Sequence, residues 1–212
     1  MNQLELQTIY LNKVKEALDR LKACESFLDS YRGSQSVFAL EAAVLQMRKA
    51  LECVAYAAIA PNKKKYAECR ARAEKQPDYT KDFHARKILN LLSKINSDFF
   101  PKPVSAPVNL EPGKWHFDKR EDESLTKNKF ESFYDRLGKF LHADNPWGHD
   151  KGVKNLLDDI PKVISSVRLL LSWHFTAIRT PEFNGVWVIE APANGKQPRV
   201  IVGQAEGDFV IK

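Results

Sequence analysis

Apolar positions recur at helical spacing over most of the chain. Leu4, Leu11, Val14, Leu18, Leu21 and Leu28 are separated by 7, 3, 4, 3 and 7 residues, one stripe that predicts a long helix over about 3–30. Arg32-Gly33-Ser34 interrupts it, and Ser34 or Ser36 is placed to cap the next helix. That helix carries Val37, Leu40, Val44, Met47, Leu51, Val54 and Ala58, alternating 3 and 4 until Pro61 ends it. Ala42, Ala43, Ala50, Ala55 and Ala57 are small enough for a neighbour to come close, so the two helices should form an antiparallel hairpin. Shorter helices are expected near 65–75 and 82–97, the second burying Ile88, Leu91, Leu92 and Ile95. Residues 98–124 hold four prolines and then Trp115-His116-Phe117; they read as irregular chain, and loops of that length are usually functional or disordered. Helix resumes near Leu125, with Phe130, Phe133, Leu137 and Phe140 or Leu141 inward, and stops before Pro146. A last helix over about 151–179 turns Val153, Leu157, Ile160, Ile164, Val167, Leu171 and Phe175 inward, with Pro161 kinking or delimiting it. The period then changes. Val186–Ile189, Arg199–Val202 and Phe209–Ile211 are short β-branched runs separated by turn residues, which predicts a small antiparallel meander with Trp187 and Val188 on opposite faces. The expectation is a mainly α chain: a helical bundle over 1–180 and a small β appendage over 181–212.

Composition narrows the class without choosing a function. The chain has 212 residues, 43% hydrophobic and 28% charged, which excludes a disordered or fibrous protein and allows a sizeable core. Cys24, Cys53 and Cys69 are odd in number and lack C-x-x-C spacing, against a disulfide framework or a cysteine zinc site. No apolar stretch approaches the ~20 residues of a membrane span, and the N-terminus does not read as a signal peptide, so the expected location is the cytoplasm and no membrane partner is expected. The net charge of +6 matters more once it is mapped. Residues 61–102 contain eleven basic and five acidic side chains, so this segment accounts for the whole excess. Lys63, Lys64, Lys65, Arg70 and Arg72 are candidate phosphate contacts, and Tyr66, Tyr79 and Phe83 are candidates for stacking on bases. The alternative is a solvated charged face.

The most suggestive string is Tyr134-Asp135-Arg136-Leu137-Gly138-Lys139-Phe140-Leu141-His142-Ala143-Asp144-Asn145-Pro146-Trp147. Arg136 and His142, with five residues between them in a helical protein, resemble the R-x(4–6)-H signature of the HEPN superfamily. The alanine-rich second helix with Arg48 and Glu52 is similar to that superfamily too, and the resemblance covers roughly residues 1–180. It implies a HEPN-like bundle and a metal-independent RNA endonuclease, of a kind that serves as a toxin (as in toxin–antitoxin pairs) or an antiviral defence effector and works as a homodimer. Arg136 and His142 would be the catalytic pair, supported by Asp135, Asp144 and Asn145. RNA would be the substrate, a cognate inhibitor or partner protein would fit the same family, and no cofactor is implied. Leu137 stands where many members carry a polar residue after the arginine.

The residue types suit that chemistry. In RNA the 2′-hydroxyl can attack the adjacent phosphate, leaving a 2′,3′-cyclic phosphate. Imidazole moves protons near neutral pH, and a guanidinium presents a planar fork to crowded phosphate oxygens. Six residues along an ideal helix leave two side chains about 120° apart, so either the helix loosens before Pro146 or a second protomer completes the site. The structural alternative pairs Arg136 with Glu131 or a neighbouring carboxylate on the helix surface and leaves His142 to cap the helix C-terminus. Two further readings remain: a non-catalytic HEPN module that binds a partner protein or nucleotide, and an HD-type metal phosphohydrolase built from His116, His149-Asp150 and Asp158 or Asp159. His174 reads as a packed histidine.

Overall fold

The computed structural model describes residues 2–204 except 74, 76, 113, 121–122, 144–146, 148–151 and 181–182. Among them it is mainly helical, with a small antiparallel sheet towards the C-terminus. The predicted strand at 209–211 lies outside the described residues.

Helices α1 (Gln3–Ser34) and α2 (Val37–Ile59) form the expected antiparallel hairpin. Asn2 and Glu5 close a capping box at the start of α1, satisfying backbone N–H groups that have no helical partner. Gly33 does not break the helix; Gln35 does, in the left-handed region at φ 56°. Ser36 occupies the N-cap of α2 without a side-chain hydrogen bond to it. The buried stripe of α1 is Tyr10, Val14, Ala17, Leu21, Cys24 and Leu28. Leu4 is exposed and Leu11 and Leu18 are half-buried, so the leucines of the expected stripe partly flank the seam. Ala17 and Cys24 of α1 and Ala43 and Ala50 of α2 are small and all fully buried. The α2 stripe is buried as predicted except at its first member, Val37.

Beyond a 3-10 turn at Ala60–Asn62 come α3 (Lys63–Ala71) and α4 (Ala85–Ile95), then α5 (Lys127–Phe140) and α6 (Val153–Ser172). On α5, Phe130, Phe133, Leu137 and Phe140 are buried as expected, and Tyr134 joins them. Helix α6 runs through Pro161 and stops at Ser172, seven residues short of the expected end.

The small antiparallel sheet expected in the tail is present over two of the predicted runs, 186–189 and 199–202, and it also takes in chain expected to be helix or irregular. Trp173–Arg179 is strand β4, paired with β5 (Asn184–Glu190), which pairs with β6 (Arg199–Gln204). The Pro-rich segment is not wholly irregular. Its β1 (Lys102–Pro103) adds to the outer side of β4, and β2 (Val108–Glu111) with β3 (Lys114–His116) makes a separate hairpin. The boundary expected at 180 therefore falls inside the β4–β5 hairpin, and the sheet shares the core of the bundle. Register puts His174, Thr176 and Ile178 of β4 on one face with Ile189 and Trp187 of β5, all buried. Val188 faces the other side with Phe175, as the alternation requires. A Cβ on Gly185 would lie 2.2 Å from the Gly203 carbonyl oxygen of β6, so only glycine lets the strands approach there.

One polar contact sits where sheet meets bundle. His174 is fully buried; its Nδ1 is 3.1 Å from the Leu171 carbonyl and its Nε2 2.9 Å from the Tyr10 hydroxyl. A carbonyl only accepts, so Nδ1 carries the proton and Nε2 accepts from Tyr10. Trp187 packs edge-on against Tyr10, ring centres 6.0 Å apart. Burial holds the imidazole neutral and pushes its pKa down to about 4. The unfolded histidine takes up a proton below about 6.5 while the folded one resists until about 4, so this contribution is complete above pH 6.5 and is lost as pH falls towards 4. The loss should approach about 3 kcal/mol. Urea unfolding at a series of pH values checks this: His174→Phe should remove that part of the slope between pH 6.5 and 4, and an unchanged slope would contradict the assignment.

Candidate active site

Helix α5 carries Arg136 and leads into His142 just past its end, and its two flanks meet different neighbours. On one side α2 and α4 pack against it; the pivot there is Tyr134. The Arg48 guanidinium lies over the Tyr134 ring, 3.9 Å from its centre, and donates to the Tyr134 hydroxyl (2.7 Å) and backbone carbonyl (3.1 Å). The hydroxyl donates in turn to Glu52 Oε1 at 2.8 Å. Glu52 lies one turn beyond Arg48 on α2, so one helix supplies both charges and the phenol bridges them to α5. Burial, and then the Glu52 carboxylate, raise the Tyr134 pKa well above the usual phenol value. The His84 ring stands edge-on to Tyr134 at 5.4 Å.

Gly138 is one turn further along α5. An ideal Cβ there would come 2.4 Å from Arg48 Nη1, so the guanidinium occupies the space that a side chain would need.

On the other side, Arg136 faces α6. Its Nη2 donates to Asp159 Oδ2 at 2.8 Å and to the Asn155 carbonyl at 3.3 Å. The guanidinium is 5.3 Å from the centre of the Phe133 ring. The hydrogen bond from Arg136 lowers the Asp159 pKa, with further help from Lys162. Arg136 thus pairs with a carboxylate, but with Asp159 of α6 and not with Glu131 on its own helix, which is bound to Lys127 at 2.8 Å. The arginine side chain nonetheless remains 42% exposed. It lines a concavity of about 560 Å³ on the outer face of α5, together with Arg86, Glu131, Asp135 and Lys139. Asp135 pairs with Arg86 from α4.

His142 lies beyond the helix. The last helical residue is Phe140, Leu141 is the C-cap, and the His142 N–H reaches the Lys139 carbonyl at 3.4 Å in a turn. The helix thus ends before His142, which is one of the two arrangements that the 120° argument left open, and His142 is exposed. Asp144 and Asn145 lie outside the described residues, as do His149 and Asp150.

The basic segment is arranged differently from the expectation. Lys65 Nζ donates to the Arg179 carbonyl of β4 at 2.7 Å, and Arg70 is bound to Asp82 at 3.0 Å with both side chains largely buried. Tyr66 is buried and donates to Asp82 Oδ2, and Tyr79 stands edge-on to it, so this tyrosine pair holds the 78–84 loop rather than offering Tyr66 to a base. Lys64, Arg72 and Phe83 are exposed, and Lys63 is half-buried. Helix α4 packs against both α3 and α5. The segment reaches the Arg136 concavity through Arg86 of α4, which Asp135 pairs there, a residue that the charge count includes but does not single out. Of the HD-type set, His116 is in β3 beside Asp118 (3.0 Å), and Asp159 is engaged by Arg136. No group of three metal-ligating side chains occurs among the described residues.

Comparison with models of known families, with known proteins and with solved structures returned no match.

A double-mutant cycle tests the packing of Arg48 over Gly138. Alanine in place of an interior helical glycine is ordinarily stabilising by about 1 kcal/mol. Gly138→Ala should instead be neutral or destabilising here, because displacing Arg48 forfeits charge-assisted hydrogen bonds of about 1.5–3 kcal/mol. In an Arg48→Ala background the same substitution should regain its stabilising sign. Additive effects in chemical denaturation would refute the contact.

Proposed function

We propose that the chain is a HEPN-type, metal-independent endoribonuclease whose phosphate-binding face is the outer face of α5. The observation that carries the reading is the way Arg136 is held. Nη2 makes both of its hydrogen bonds, to Asp159 and to the Asn155 carbonyl, while the side chain remains partly exposed at a concavity shared with Arg86 and Lys139. A guanidinium tethered by one nitrogen keeps its remaining N–H donors for a phosphate and loses little side-chain freedom when it binds. His142, exposed just past the end of the same helix, supplies the proton transfer. Its exposure also favours this reading over a non-catalytic binding module.

In the proposed reaction the 2′-oxygen attacks phosphorus, its proton is taken up by a base, and the 5′-oxygen leaves with a proton returned. His142 serves one of these transfers, while Arg136 balances the charge gathering on the phosphate oxygens. The proposal includes a two-fold homodimer through the 125–147 segment, which sets two such sites side by side. The role as a toxin or defence effector rests on the superfamily resemblance alone.

Cleavage of RNA should persist in EDTA, leave a 2′,3′-cyclic phosphate and a 5′-hydroxyl, and fail on a substrate with deoxyribose at the cut position. His142→Ala should lower the rate about 10²–10⁴-fold. Arg136→Lys should also be impaired, because an ammonium cannot present the bidentate fork. Activity that vanishes in EDTA, or survives both substitutions, would reject the site. No cleavage of any RNA would shift the assignment to a binding module.

A further inference from the structure

A second cavity lies away from the Arg/His motif, about ten residues further along α6. Ten residues of helix span about 15 Å. The cavity measures about 480 Å³, within the range of small-molecule sites, and sits between α1, the C-terminal turn of α6 and the β5–β6 connection. Its wall is apolar: Leu18, Leu169, Ala191, Pro192, Ala193 and Pro198. Its charged lining is Lys15, Lys22, Arg168 and Lys196 against Asp19 alone.

These cations are not equivalent. Lys15 is bound to Asp19 at 2.6 Å, and Arg168 makes two hydrogen bonds of 2.6 Å to Glu25, so both are already neutralised. Lys22 and Lys196 form no ion pair among the described residues. The loop is shaped around the first of them. Gly195 has φ +78°, which an L side chain rarely adopts, and Lys22 Nζ is 3.3 Å from where its Cβ would stand. A turn from the Pro192 carbonyl to the Gly195 N–H, and a hydrogen bond from the Lys196 N–H to Asn194 Oδ1, fix the backbone that carries the second lysine. The base of the loop is anchored where the Ala191 N–H meets the Ser172 carbonyl at 2.8 Å.

We propose that this cavity binds a small amphipathic anion: an aliphatic body against the Leu/Ala/Pro wall, with one anionic oxygen head between Lys22 and Lys196. The wall offers few groups able to read a polar ring, and two unpaired ammonium groups beside an apolar surface favour a ligand with its charge at one end. A neutral apolar ligand would leave both lysines unanswered; a purely polar anion would forgo the wall. The site is independent of the reading of Arg136 and His142.

Octanoate titrated into the full chain and followed by amide NMR tests this directly, with acetate and 1-octanol as head-only and tail-only probes. Octanoate should give saturable shifts centred on Ser172, Ala193 and Gly195, with a Kd of about 1 mM or tighter. Acetate should give none, and 1-octanol should bind more weakly. Lys22→Gln with Lys196→Gln should weaken octanoate about five- to tenfold while leaving 1-octanol unchanged. Ala193→Phe should weaken both by filling the cavity. Non-saturable shifts, shifts centred elsewhere, equal binding of octanoate and 1-octanol, or octanoate binding indifferent to the two lysine substitutions would each overturn the proposal.

Discussion

The close approach of α1 and α2 is the constraint on which the rest of the molecule is mounted. Ala17 and Cys24 on one helix and Ala43 and Ala50 on the other are fully buried at the seam. Small side chains there let the two helices come close, and the larger Leu21, Leu40, Met47 and Leu51 are buried with them. With that pair rigid, α2 can present Arg48 and Glu52 together to α5, and α1 can present Tyr10 to the sheet. Each of these two attachments includes a polar contact made by a phenol, Tyr134 in one and Tyr10 in the other.

The two phenols show how polar groups are made tolerable there. Tyr134 gives its proton to Glu52 and accepts from Arg48; Tyr10 gives its proton to a neutral imidazole. Each phenol hydroxyl is answered by a named partner, which keeps the cost of burying it low and fixes its geometry. Across α5 the pairing is less complete. Arg136 is oriented by α6 but remains partly open, and it is the residue to which the proposed chemistry is assigned.

The legibility of this structure follows the reach of the interactions. The α2 stripe, the buried face of α5 and most of α6 are readable because each residue's burial repeats with its own helix. The seam of α1 is only partly so: leucine outweighs alanine and cysteine in any hydrophobic pattern, yet the small residues set the packing line. Strand β4 reads as more helix because no glycine or proline separates Ser172 from Trp173; its state comes from pairing with β5, a partner that lies later in the chain. In the candidate site, Arg136 and His142 are legible as a motif, and the end of the helix between them is one of the two arrangements that helix geometry left open. The partnership of Arg136 with Asp159 is not, since it joins two helices 23 residues apart. Lys65 and Arg70 look like nucleic-acid contacts in the sequence because a charge count cannot distinguish an exposed ammonium from one tied to a carbonyl or a carboxylate.

The position of β1 at the edge of the sheet has a kinetic consequence. Lys102 and Pro103 pair with Phe175 and His174, some seventy residues later, and the chain between them contains α5 and α6. Joining those two strands closes a loop around both helices that carry the candidate site, and such closure carries its entropic cost before the pairing contributes anything in return. The α1–α2 hairpin needs only local contacts and can form early; the β1–β4 pairing raises the contact order of everything after it. Arg136 and Asp159 both sit within that loop, so the stretch of chain assigned the chemistry belongs to the late-assembling part of the molecule.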